Sequence, residues 1–92
     1  MPSYLVETYL ARGQAGVREA HERRARSAAA ERTQGKTSVR FERSIYVPED
    51  EICFIVFDAL SSRDAVVAAQ RAGLDPLRVV EAISSGNEKE KK

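Results

Sequence analysis

The chain has 92 residues, a formal net charge of +1, 42% hydrophobic residues and 32% charged residues. This length fits one domain, and the composition is that of an ordinary soluble globular protein. The near-neutral charge gives no global signature of nucleic-acid or membrane binding, so neither partner is expected. A chain this short buries a modest share of its surface, which favours help from a second subunit.

Two further features bear on the compartment and the partners. Cys53 is the single cysteine. An intrachain disulfide is therefore excluded, which suits a reducing cytoplasm, and we expect a cytoplasmic protein. No apolar run approaches the length of a membrane span, and the start of the chain lacks the basic and apolar regions of a signal peptide. The first third is rich in arginine, but no aromatic residues alternate with these arginines, so a solvated basic helix is the preferred interpretation.

The first half of the chain predicts a strand, a helix and a second strand. Residues 4–9 are rich in strand formers and predict β1. Gly13 and Gly16 mark a turn, and residues 17–32 form a helix rich in Ala, Arg and Glu. The apolar face of that helix is thin and consists mostly of alanines, which indicates close packing against a sheet. Gly35 is placed to end the helix, and residues 39–47 predict β2.

The second half predicts a strand, a helix, a last strand and a polar tail. Residues 52–57 are almost all apolar, so β3 is expected to be central and covered on both faces. Ser61 or Ser62 is expected to cap the second helix, which ends before Pro76. Residues 78–83 predict β4. We interpret residues 1–83 as the domain and residues 84–92 as a disordered tail.

The order β-α-β-β-α-β predicts a ferredoxin-like α+β sandwich, with a four-stranded antiparallel sheet and both helices on one face. The strand order expected for this topology is 4-1-3-2. The other face of the sheet is then open, and we expect it to form a homodimer or to bind a small molecule.

Two glutamates in the middle of neighbouring strands are candidates for a site on the open face. Glu7 on β1 and Glu81 on β4 both lie between apolar neighbours. If both point to the open face, they could share a proton, bind a cation or accept a donor from a second copy. The alternative is that each pairs with an arginine, such as Arg43 or Arg78. A one-residue error in register would reverse the assignment of faces.

The other reactive side chains have simpler interpretations. Cys53 lies in an apolar strand, where a buried and unreactive thiol is the usual case. His21 lies among arginines on the first helix and is expected to face solvent. The sequence contains no recognisable metal-binding spacing and no glycine-rich phosphate loop.

Several short motifs, in this order and spacing, resemble the small nickel-binding-protein-like domains of unknown function. The motifs span most of residues 3–83 and are Met1-Pro2-Ser3-Tyr4-Leu5-Val6-Glu7, Phe41-Glu42-Arg43-Ser44, Val56-Phe57-Asp58-Ala59, Arg71-Ala72-Gly73-Leu74-Asp75-Pro76 and Val80-Glu81. The resemblance implies a ferredoxin-like fold, frequent dimerisation and, in some members, a bound divalent transition metal, typically nickel.

The positions that the resemblance relates to metal ligands are altered in this chain. Arg43 and Ala68 stand where the family tends to carry histidines, while Cys53 or Ile55 matches its cysteine. Glu7 and Glu81 match its glutamates. Imidazole suits nickel, whereas arginine stays charged and offers no lone pair. The expectation is therefore a degenerate site on the open face, with Arg43 paired to a glutamate and no resident cofactor.

Three functions stay open at this point. The first is a dimeric ligand- or metal-binding accessory domain whose metal site is degenerate. The second is a small cofactor-free enzyme of the monooxygenase, cyclase or isomerase type, with an apolar pocket on the open face and Glu7, Arg43 and Glu81 as acid–base or ligand-binding groups. The third is a metal protein that uses Cys53, Glu7, Glu81 and His21.

Overall fold

The structure is a computed structural model that describes residues 1–34 and 38–83. The elements follow in the order β1 (Ser3–Tyr9), α1 (Ala15–Gln34), β2 (Val39–Val47), β3 (Ile52–Ala59), α2 (Ser62–Arg71) and β4 (Arg78–Ala82). The predicted helix end at Gly35 and the predicted tail at 84–92 lie outside the described residues.

The four strands form one antiparallel sheet in the order β2-β3-β1-β4. This is the predicted order, and the ferredoxin-like fold is confirmed. β3 is central, as its apolar composition indicates. Both helices pack on the same face of the sheet, called here the inner face, and the opposite face is called the open face.

Alternation along the strands decides which side chains enter the core. On β1 the buried residues are Tyr4, Val6 and Thr8, and the residues between them are more exposed. The register places Val6 opposite Ile55 and Tyr4 opposite Phe57, so these residues lie on the inner face. Ile55 and Phe57 are fully buried there.

The helices complete the core with small residues. Ala25, Ala28 and Ala29 of α1 are buried, and so are the three alanines at 65, 68 and 69 of α2. Alanine has no side-chain rotamers to lose, and it lets helix and sheet backbones approach closely. The alanine-rich face of α1 is thus confirmed as a packing face, although Val17 at its start is exposed.

The ends of α2 follow the sequence signals. The Ser61 side chain accepts a hydrogen bond from the backbone N–H of Asp64 at 3.2 Å, which identifies Ser61 as the N-cap. Gly73 follows the helix at φ +71°, where glycine avoids the strain that other residues incur. Within residues 1–34 and 38–83, no helix is long and apolar enough to cross a membrane.

Candidate functional site

The open face has an apolar centre. Its apolar side chains come from all four strands and are Leu5, Ile45, Val47, Ile52, Phe54, Val56, Val80 and Ala82. Val56 is only 4% exposed because its neighbours on the face surround it, while Ile45 on the edge strand is 39% exposed. The apolar run in β3 led us to expect cover on both faces. No helix covers the open face in the part of the chain that the structure describes.

A salt bridge marks one side of this apolar centre. Glu7 and Arg78 face each other across β1 and β4. The Nε of Arg78 donates to Oε2 of Glu7 at 2.6 Å. This agrees with the alternative interpretation of Glu7, in which the glutamate pairs with an arginine. The expected pairing of Arg43 with a glutamate is not found among residues 1–34 and 38–83, where Glu7 pairs with Arg78 instead.

A group of two carboxyls, a guanidinium and a hydroxyl lies at the opposite end of the face. We call Ser3, Arg40, Glu42 and Asp58 the carboxyl cluster. Asp58 accepts from the Ser3 hydroxyl at 2.7 Å and from the Arg40 guanidinium at 2.9 Å, and Arg40 also donates to Glu42 at 2.8 Å. Only 9% of the Asp58 side chain is exposed, against 67% for Arg40.

The pKa values of the two carboxyls move in opposite directions. A hydrogen bond with Asp58, assisted by burial, raises the pKa of Glu42. Burial by itself would raise the pKa of Asp58, but hydrogen bonds from Glu42, Ser3 and Arg40 outweigh it, so the pKa of Asp58 is lowered. As the pH falls, Glu42 is therefore protonated before Asp58.

The sequence could not reveal the carboxyl cluster because it depends on a β-bulge. The register between β2 and β3 shifts by one residue between Phe41 and Arg43, which leaves Glu42 as the extra residue. Without this bulge Arg40 would lie opposite Ala59 rather than Asp58. Since nothing in the local sequence marks the bulge, the hairpin alone would give the wrong neighbours.

The residues proposed from the sequence lie on two sides of the sheet. Glu7 and Arg43 are on the open face, where Arg43 lies opposite Val56. Glu81 lies opposite Tyr4 and therefore on the inner side, so the structure does not bring Glu7 and Glu81 together. The register between β1 and β4 determines which face each glutamate occupies. A shift of one residue would move Glu81 to the open face.

The expectation that Cys53 is buried is confirmed, but the site expected on the open face would need Cys53 or Ile55 there, and the structure places both on the inner face. Cys53 lies opposite Thr8 on the inner face and is fully buried. Burial raises the pKa of its thiol, which keeps the sulfur protonated and unreactive. Ala68, the other position where the resemblance leads us to expect a histidine, is on α2 and is also fully buried. Arg43 and Ala68 are therefore on opposite sides of the sheet.

His21 was expected to face solvent, and this is also wrong. It is only 9% exposed, and its Nδ1 lies 2.8 Å from an Nη of Arg24. Burial, together with the charge of Arg24, lowers the pKa of His21, so the ring is neutral and Nδ1 accepts the hydrogen bond. The spacing of His21, Ala25 and Ala28 at i, i+4 and i+7 would have placed the histidine on the packing face.

These positions leave no metal centre among the described residues. In residues 1–34 and 38–83, no three side chains of the types His, Cys, Asp and Glu come together closely enough to hold a metal ion. The proposed set of Cys53, Glu7 and Glu81 is divided by the sheet itself. The arrangement suits packing or ligand binding on the open face.

Comparison with known proteins supports the fold. One solved structure, described as the crystal structure analysis of SCO4226 from Streptomyces coelicolor A3(2), matches with a TM-score of 0.69 at 14% sequence identity. The match covers 90% of this chain and 98% of that chain. No family model matches the sequence, and no curated protein matches it. At this identity the similarity shows a shared ferredoxin-like α+β fold.

Proposed function

We propose that this domain is a homodimer in which the open faces of two copies pack together, and that it acts as a small ligand-binding accessory domain. The observation that carries the proposal is the apolar centre of the open face. β3 contributes Ile52, Phe54 and Val56 to that face, and no helix of the described chain covers them. Exposed apolar patches with polar margins are typical of interaction surfaces.

A second copy of the chain is the occupant that best fits this surface. The margins carry both signs of charge, with Arg43 and Arg78 against Glu7 and the carboxyl cluster. Arg43 is exposed, and no partner for it is present among the described residues. In a two-fold dimer both copies use the same face, and a residue at one margin contacts a different residue of the other copy. The unpaired guanidinium of Arg43 can therefore reach a carboxylate of the partner copy.

The dimer would place polar groups around an apolar space. The Glu7–Arg78 pair and the carboxyl cluster lie at opposite ends of the face, so a ligand held between two sheets would meet apolar side chains and a few fixed donors and acceptors. That combination is typical of small-molecule sites. The proposal includes no resident transition metal, because the residues that match the family's ligands lie on both sides of the sheet.

The dimer is tested by replacing Ile45, which lies at the edge of the face and is 39% exposed. Ile45→Glu places a charge in the interface of both copies and should weaken the dimer by about thirtyfold or more, measured by sedimentation equilibrium. The matched control is Val17→Glu, because Val17 is 38% exposed but lies on α1, on the other side of the sheet. Equal dissociation of both variants, or a monomeric wild type, would contradict the proposal.

The metal part of the proposal is tested separately. Titration of the purified protein with nickel in a calorimeter should give no one-site binding in the micromolar range. Micromolar binding of one nickel ion per chain would contradict this part of the proposal, because the described residues form no such site. Glu7→Gln then identifies whether the open face supplies the ligand.

A second candidate is the cofactor-free enzyme, and one observation favours it. Glu42 lies on the open face with a raised pKa, beside Asp58 with a lowered one. Pairs of carboxyls with separated pKa values can divide the roles of acid and base. Carbon-detected NMR titration of the two carboxyls tests this candidate, since an ordinary pKa for Glu42 would remove its chemical basis.

A further inference from the structure

A cleft between the two helices, on the side of the sheet away from the open face, collects arginines from both of them. It has a volume of about 320 Å³ and is lined by Arg23, Arg24, Ser27, Ala28, Glu31 and Arg71. Among the described residues of the lining, three guanidiniums face one carboxylate, so this part of the lining carries an excess of positive charge. We call this group the arginine cleft.

The cleft exists because of the residue spacing on α1. Arg23, Ser27 and Glu31 follow each other at intervals of four residues, and Ala28 lies four residues after Arg24. Side chains at this spacing lie above one another on a single face of the helix. Ser27 and Ala28 are small, so the centre of the face stays open while the long side chains around it form the walls. Arg71, in the last turn of α2, lies at the opposite wall.

Arg24 is held in place by two hydrogen bonds. Its Nε donates to the backbone carbonyl of Ala72 at 2.7 Å, and an Nη donates to Nδ1 of the buried His21 at 2.8 Å. These bonds fix the plane of the guanidinium between α1 and the C-terminal end of α2. Since arginine has five N–H donors, others remain for a ligand. A guanidinium that is already oriented loses less entropy when it binds an anion.

The other two arginines are weakly engaged. Arg71 meets Glu31 at 3.5 Å, and both side chains are more than half exposed, so this ion pair contributes little. Arg23 is exposed, and no partner for it is present in residues 1–34 and 38–83. Three guanidiniums in one cleft repel each other, and an anion with several oxygens relieves that repulsion.

We propose that the arginine cleft binds a small phosphate-bearing molecule. Planar guanidiniums bind phosphate oxygens through paired hydrogen bonds, and the Ser27 hydroxyl can donate another. A small molecule fits better than a nucleic acid, because none of the described lining residues is an aromatic side chain on which a base could stack. The cleft lies on the helix side of the sheet, so it is independent of the proposed dimer surface.

Inorganic pyrophosphate is the probe for a test with the full-length chain at low ionic strength. Two-dimensional NMR should show the Nε–H signals of Arg23, Arg24 and Arg71 shifting together with one saturable affinity. Arg71→Gln should weaken that affinity about tenfold, and so should Arg23→Gln. Neither side chain is buried, so both variants should fold. Arg63→Gln, on the same helix as Arg71 but outside the cleft, should leave the affinity unchanged.

Glu31 offers a test in the opposite direction. Glu31→Gln removes the carboxylate that competes for Arg71, so pyrophosphate should bind about threefold more tightly. Sodium chloride at equal ionic strength is the control. The proposal would be overturned if all arginine signals shifted uniformly with pyrophosphate and sodium chloride reproduced these shifts. Tighter binding of a single-stranded oligonucleotide than of pyrophosphate, or of anionic lipid vesicles, would overturn it as well, since the site would then serve a macromolecule or a membrane surface.

Discussion

Replacing Asp58 tests whether the carboxyl cluster stabilises the end of the sheet where Ser3 and Arg40 lie. Asp58→Ala removes the acceptor of the Ser3 hydroxyl and of Arg40. The hydrogen bond from Ser3 to the poorly exposed carboxylate contributes about 1.5 kcal/mol. The pair with the largely exposed Arg40 contributes about 0.5 kcal/mol after solvent screening. We therefore expect the free energy of unfolding at pH 7, measured by urea denaturation, to fall by about 2 kcal/mol.

The cost of Asp58→Ala should also depend on pH. The pKa of Asp58 is lowered on folding, so its contribution to stability is present above its unfolded value of 3.8 and is lost as the pH falls through the folded pKa. The pKa of Glu42 is raised, so its contribution is present below its unfolded value of 4.5 and is lost as the pH rises through the folded pKa. The stabilising contributions of Asp58 and Glu42 are both present at about pH 4.5. The cost of the substitution should be larger there than at pH 7.

Asp58→Asn is the matched control, because its amide oxygen can still accept from Ser3. It should cost less than about 1 kcal/mol at pH 7. Equal costs for Asn and Ala would refute the role of Asp58 as the acceptor for Ser3. A cost for Ala that does not change between about pH 4.5 and pH 7 would refute the opposed pKa shifts of Glu42 and Asp58.

Three other side chains give shorter tests. The pKa of His21 is lowered on folding, so the folded state loses stability as the pH falls below the unfolded value of 6.5. His21→Gln can still accept a hydrogen bond from Arg24. In urea denaturation this variant should show a weaker dependence of stability on pH between pH 7 and pH 5. Cys53 is fully buried with a raised pKa, so a thiol reagent should modify it at least about a hundredfold faster in urea than in buffer; equal rates would contradict its burial. Ala68→His forces a large polar ring into a fully buried position and should cost about 2 kcal/mol or more without creating nickel affinity; calorimetry with nickel decides this.

The sequence predicted the fold well because its local signals agree with each other. Glycine and proline separate the elements, and the Ser61 cap lies at the start of the helix that it was expected to begin. The alternation on β1 predicts which of its side chains face the helices, and the apolar run of β3 predicts that this strand is central. The prediction for β3 was only partly met. Its apolar run is typical of a strand with two covered faces, but in the described residues helices cover one face alone.

The candidate site was harder to predict because it depends on register between distant strands. Glu7 and Glu81 each lie between apolar neighbours, yet pairing of Glu81 with Tyr4 places the two carboxylates on opposite sides of the sheet. The carboxyl cluster depends on a bulge at Glu42 that has no local signal. His21 is different, because it was expected to face solvent although its helical spacing with Ala25 favours burial.

The most direct test of the open-face dimer is an isotope-filtered NMR experiment on a mixture of labelled and unlabelled copies. Nuclear Overhauser effects between copies should connect the side chains of Leu5, Phe54 and Val80, which lie on the open face. They should be absent for Val17 on the helix side. Contacts between copies that involve Val17 but not Phe54, or no such contacts at concentrations where the protein sediments as a dimer, would contradict the account.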